Sequence, residues 1–266
     1  MMKSFFTRNN LSPVSKICLA GLFMAVTIIL QKVLAVNYIP IVPFLRISLG
    51  GPAIIIFASI LLGPWYGLLV GIGSDVLGYL LFDPRNYSFF PTITLIYAVL
   101  GFLPYFLFSL FKRVHNKKIS LIMIISFMTL CILTVTLVLW LNNTLTLYQS
   151  VYTINLLIRL LIPGVMILLF AALLVFIIFY DKSVSKRNAD LPLYPIQTSF
   201  SLLVLELFVM VIFGSLMKAV AFGFQTFWVI LFCQIIVMFI NVPLNTIVIT
   251  VLIRVMSKHF LKISED

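Results

Sequence analysis

Apolar residues run through this chain in long blocks separated by short polar or Pro/Gly-bearing breaks. They do not alternate at the period of a half-buried strand. Blocks near 17–35, 45–62, 65–82, 91–111, 119–140, 152–180, 197–217 and 226–253 each approach the ~20 residues that a helix needs to cross a bilayer. The pattern predicts an all-α polytopic membrane protein with about eight transmembrane helices. The first block follows Lys3, Arg8 and Lys16, as a secretory leader would, but it carries no convincing small-x-small cleavage site and is read as a retained first helix.

Composition sharpens this picture. The chain is 63% hydrophobic and 9% charged, against roughly 45–50% apolar and about 25% charged in soluble domains, which excludes a water-soluble domain. Its net charge of +11 is read first as information about orientation. Eight crossings put both termini on one side with the breaks near 112–118 and 181–190. On that side fall Lys3, Arg8, Lys16, Lys112, Arg113, Lys117, Lys118, Lys182, Lys186, Arg187, Arg254, Lys258 and Lys262, 13 of the 18 basic residues. Excess positive charge marks the cytoplasmic side, so both termini are expected there. The remainder are Lys32, Arg46, Arg85, Arg159 and Lys218. Of these, Lys32, Arg46, Arg85 and Lys218 map to outer ends of spans or to outer loops. They either snorkel to lipid phosphates or form a cationic mouth for an anionic solute.

Several chemistries lack their material. Cys18, Cys131 and Cys233 lie singly in apolar blocks and read as small core residues, and His115 and His259 lie in basic segments. No G-x-x-x-x-G-K-[ST] run is present, so an ATP-driven step would need another polypeptide. No metal, cofactor or catalytic residue is expected.

The polar exceptions inside the blocks carry the functional expectations. Gly63, Gly67 and Gly71 recur at steps of four and make one small-residue stripe on a helix, where a neighbouring backbone can approach closely. Asp75 continues the series and should face protein, in a structural or gating role. Glu206, in the seventh block, has the same status, with Gln234 or Arg159 as possible partners. The run from Asp83 to Thr94 has prolines at 84 and 91 and supplies Arg85, Tyr87, Phe89, Phe90, Thr92 and Thr94. A guanidinium beside flat aromatic faces suits a planar heterocycle bearing carboxylates; an interfacial aromatic belt is the alternative. Trp140, Asn142, Asn143 and Thr144, with Arg159 in the next span, either complete a pocket opposite that run or serve as caps and a buried cation. Gly21 and Ala25 form a small-x-x-x-small pair on the first helix, for docking or for internal packing.

These motifs together resemble a known family. Leu-Arg-Ile-Ser-Leu-Gly-Gly-Pro at 45–52, Gly-Pro-Trp-Tyr-Gly at 63–67, Gly-Ile-Gly-Ser-Asp-Val-Leu-Gly at 71–78 and Phe-Phe-Pro-Thr-Ile-Thr-Leu at 89–95 are similar to the substrate-binding (S) subunits of energy-coupling-factor transporters, the folate-specific branch in particular. The resemblance implies a six-helix vitamin-binding subunit in the cell membrane of a bacterium, its pocket near the outer face. It also implies docking on a membrane scaffold subunit through the first helix, here Gly21 and Ala25, and two cytoplasmic ATPase subunits as motors.

On this reading residues 1–190 form the six-helix core and 191–266 an additional hairpin. Pro243-Leu-Asn-Thr246 with Arg254 also looks like the family's last helix, so the second segment is either a duplicate or the true counterpart of that hairpin. The expected function is high-affinity binding and uptake of folate. Arg46, Arg85 and Arg159 would pair with its carboxylates, Tyr87, Phe89, Phe90 and Trp140 would stack on its rings, and Thr92, Thr94 and Asn143 would hydrogen-bond to its heteroatoms. A different vitamin or heterocyclic solute is one alternative. A polytopic enzyme or structural membrane protein is the alternative of another class.

Overall fold

Helix starts follow from local chemistry. In the computed structural model, which describes residues 12–33, 50–82, 89–111, 117–147, 150–186, 195–223 and 227–262, helix α1 (Pro13–Ile28) opens on Ser12. The Ser12 side chain accepts from the Ser15 amide at 3.2 Å and Pro13 takes a first-turn position, where its missing N–H costs nothing. The helix runs on into a π turn over Ile29–Val33. Gly50, in the left-handed region at φ 83°, leads into α2 (Gly51–Leu62), and Gly63, at φ 104°, turns the chain directly into α3 (Pro64–Phe82). Glycine takes these backbone angles without a Cβ clash.

α4 (Pro91–Phe111) packs back along α3. The glycine stripe explains the closeness: a Cβ at Gly67 would strike the Gly101 carbonyl oxygen, one at Gly71 the Tyr97 carbonyl, and one at Gly101 the Gly67 carbonyl. The Tyr105 amide donates to Ser59 Oγ at 3.3 Å and ties α4 to α2.

α5 (Lys117–Leu141) and α6 (Leu156–Lys186) are joined by an antiparallel hairpin, β1 (Thr144–Leu147) with β2 (Ser150–Thr153), in the register Thr144↔Thr153. The segment expected as loop and span start is therefore a two-stranded turn. Thr-Leu-Thr-Leu alternates at period two, and both it and Ser-Val-Tyr-Thr carry β-branched residues. Near the opposite ends of these helices Lys117 Nζ lies 3.5 Å from Asp181 Oδ2.

The next span is composite: α7 (Pro195–Leu205), a π segment (Glu206–Phe213) and α8 (Gly214–Phe222). The long α9 (Phe227–Lys262) follows it.

Among the described residues seven helices are long and apolar enough to cross a membrane: Pro13–Val33, Pro64–Phe82, Pro91–Phe111, Lys117–Leu141, Leu156–Lys182, Pro195–Ala221 and Phe227–Met256. The remaining expected block, 45–62, contributes α2. Its 12 residues reach only about 18 Å, against a hydrocarbon core of ~30 Å, and every one of them is buried in protein.

Two apolar cores form. The first joins α1–α4 with Leu202, Leu205, Val209, Ile249 and Ile253; the second joins α5 and α6 with Ile196, Phe200, Leu203, Met238, Phe239 and Val242. Because α7 and α9 feed both, they occupy the centre. The most apolar windows of these last two spans are 56% and 44% buried, against 22–33% for the other five.

Candidate functional site

The four-residue series on α3 builds the first group. Gly67 and Gly71 hold the α3 backbone against α4, and one turn further Asp75, 8% exposed, comes level with the start of α4. Its Oδ2 accepts a hydrogen bond from Thr94 Oγ1 at 2.6 Å. Thr94, expected to meet a solute, thus holds the intramembrane carboxylate, whose insertion cost needs such a partner.

Around this pair lie groups from two further elements. The Lys32 side chain passes along Gly78, where an added Cβ would lie 2.9 Å from its Cε. Gln31 is buried over Gly51 at the head of α2, and its Nε2 has no hydrogen-bond partner. Thr92 Oγ1 is likewise buried and unpartnered. Phe89 packs on Tyr79 with centroids 5.2 Å apart at 50°, and the Phe90 carbonyl accepts from the Ile93 amide at 3.0 Å to start α4.

Gln31 and Tyr79 were not singled out in the sequence. The signal for the first was a pair of polar residues, Gln31 and Lys32, ending an apolar block. For Tyr79 it was only the position four residues beyond Asp75. Arg46, Arg85 and Tyr87, three of the expected ligand groups, lie outside the described residues.

A second group forms at the β-hairpin. Arg159 Nη2 donates to Asn143 Oδ1 at 2.7 Å and to the Asn142 carbonyl at 3.3 Å, and its guanidinium carbon lies 5.7 Å from the Trp140 ring centroid. The expected trio of Trp140, Asn143 and Arg159 is therefore brought together, but not beside Phe89, Phe90, Thr92 and Thr94. α4 packs on α7 and α8, whereas α5 and α6 pack on each other, α7 and α9. The last two spans stand between the groups.

Those spans hold the third polar feature. Glu206, fully buried where the π segment begins, accepts from Asn245 Nδ2 at 3.0 Å through Oε1, while Oε2 has no hydrogen-bond partner. Its partner is neither Gln234, which is buried elsewhere on α9, nor Arg159, which is engaged at the hairpin. On the opposite flank of the bundle Gly21 and Ala25 are both exposed on α1, and a Cβ at Gly21 would meet nothing within 4 Å. Among the described residues no three His, Cys, Asp or Glu side chains gather as a metal site.

Residues 15–180, more than half of the chain, match the family of the ECF transporter, substrate-specific component. The chain belongs to that family. No curated protein and no solved structure matches it. This S component is thus a multi-pass membrane protein and a transporter subunit, not an enzyme, serving an ECF module and a small-molecule substrate. The matched residues contain the Asp75–Thr94 group, the Arg159 group and the exposed α1 pair. They end within α6, so Glu206 and the central spans lie beyond them.

Proposed function

We propose that this S component binds folate or a reduced folate at the end of the bundle where α3 finishes and α4 begins. There it would collect the vitamin for a membrane scaffold and two cytoplasmic ATPase subunits of a bacterial transporter. The observation that carries the reading is the clustering at that end of Lys32, the Tyr79–Phe89 ring pair and the unpartnered polar atoms of Gln31 and Thr92. A cation, aromatic ring faces and unsatisfied hydrogen-bonding atoms are what a planar heterocycle with carboxylates requires. Arg46 and Arg85 flank the same helices in sequence and would supply bidentate contacts, with Tyr87 and Phe90 adding ring surface.

Both termini would face the cytoplasm, with the 13 basic residues on their side, if α2, short but sheltered by protein, still returns the chain across between α1 and α3. Gly21 and Ala25, exposed on α1, would form the docking face for the scaffold.

Titration of purified protein with radiolabelled folate tests the assignment. Arg46→Ala and Arg85→Ala should each weaken binding by about 1.5–3 kcal/mol, the scale of a charged hydrogen bond. Unchanged curves for both would remove the arginines from the pocket, and displacement of the label by another vitamin at lower concentration would replace folate. Bulky substitutions at Gly21 and Ala25 should spare binding and abolish uptake; uptake that persists would move the docking face elsewhere.

A further inference from the structure

Lys218 is a cation on the central span that the site above does not use. Two contacts fix its surroundings. Phe200 of α7 meets Phe111 of α4 with ring centroids 4.9 Å apart, and a Cβ at Gly214 of α8 would lie 3.8 Å from Ile96 of α4. Together they show α4 and α7–α8 running antiparallel. Lys218 stands one turn beyond Gly214, and Thr92 one turn before Ile96. Side chains four apart share a helix face, so Lys218 and Thr92 face each other across the α4–α8 seam. On the α9 side Lys218 lies within electrostatic reach of Cys233 and of Glu206, the carboxylate to which Asn245 donates.

Lys218 is half-buried, and among the described residues no carboxylate lies within ion-pair distance of it. Thr92 Oγ1, opposite, is buried without a hydrogen-bond partner. The buried Glu206 carboxylate acts on the Lys218 charge across space but forms no contact ion pair with it, and an unsatisfied buried hydroxyl such as that of Thr92 is costly. One anionic oxygen between Lys218 and Thr92 would satisfy both. Arg159 cannot take this role from where it sits, beyond α8 and α9 with Asn143.

We propose that Lys218, with Thr92, binds a carboxylate of the transported solute. The binding unit is then α1–α4 completed by α7–α8 and α9, with the α5–α6 hairpin added at its side. The inference rests on the reading of this S component as a receptor for a carboxylate-bearing vitamin and assigns that vitamin a contact outside the family-matched residues.

The test compares wild type, Lys218→Met, which keeps the stem without the charge, and Lys218→Arg, which keeps the charge, each first checked for a monodisperse fold. Folate and folate dimethyl ester, whose glutamyl carboxylates are neutralised, are the probes. Lys218→Met should weaken folate binding about tenfold or more, the scale of one charge-assisted hydrogen bond. It should leave the ester unaffected, and Lys218→Arg should recover most of the loss. Equal folate affinity in wild type and Lys218→Met overturns the inference while leaving the folate reading intact. If wild type binds no folate, that reading fails by itself, and the same pair is compared by thermal shift with biotin and pantothenate. Stabilisation lost in Lys218→Met then upholds the inference, and stabilisation that persists in it, or none in wild type, overturns it. Failure of Lys218→Met to fold moves the comparison to Lys218→Gln.

Discussion

Asp75 and Thr94 carry the sharpest residue-level expectation, because a short hydrogen bond joins them across the α3–α4 seam. Thr94→Val should destabilise the protein by ~1–3 kcal/mol, the cost of a buried carboxylate losing a donor, and its effect should shrink when Asp75→Asn is already present. Thermal unfolding of the single and double variants measures it. Gly71→Leu should destabilise by at least ~1–3 kcal/mol, since its side chain must enter the α4 backbone at Tyr97, whereas Gly21→Leu, with open space around it, should not lower the melting temperature and gains up to ~1 kcal/mol of helix propensity. The spacing of 67, 71 and 75 made this seam legible, because a small-residue stripe identifies its own face. The partner of Asp75 was not legible. Thr92 and Thr94 are two apart in a helix and point in nearly opposite directions, and only the packing of α4 decides which one meets α3. The partner of Glu206 was hidden for a related reason: Gln234 and Asn245 are both amides on α9, and the choice depends on register across a π segment whose wider turn no hydropathy pattern reveals.

At the scale of elements, apolar block length located the helices well and misjudged what surrounds them. The block at 45–62 looks like its neighbours because hydropathy records how apolar a segment is, not whether lipid or protein covers it. α2 is wrapped wholly by protein and can be short. The β-hairpin was missed because Asn and Thr after Trp140 also suit a helix cap and a turn, and Tyr152 reads naturally into the apolar block that follows. The glycines bounding α2 give the expectation here. Gly63, at φ 104° and ψ 170°, occupies a region essentially reserved for glycine, so Gly63→Ala should cost ~1–3 kcal/mol. Gly164, in α6 with nothing within 4 Å of an added Cβ, should accept alanine with a gain of up to ~1 kcal/mol. Denaturant titration in mild detergent compares the two, and equal effects would contradict the assigned turn.

For the molecule as a whole, the central position of the last two spans decides what can be removed. A chain ending at residue 190 would strip the shared wall from both apolar cores, leaving α2 and α4 open on one side and α5–α6 on the other. Such a truncation should fail to yield a monodisperse protein on gel filtration; a well-folded, ligand-binding fragment 1–190 would show the first six helices to be self-sufficient. The sequence suggested the boundary near 190 from charge and family pattern, and burial is the quantity that neither carries. α2 gives this arrangement a temporal side. One of its walls is α9, which leaves the ribosome after α3–α8, so a short greasy helix emitted early must wait for all of them before its final neighbour exists. During that interval it depends on α1, α3 and α4 alone for shelter, and the insertion machinery is the natural guardian of the gap.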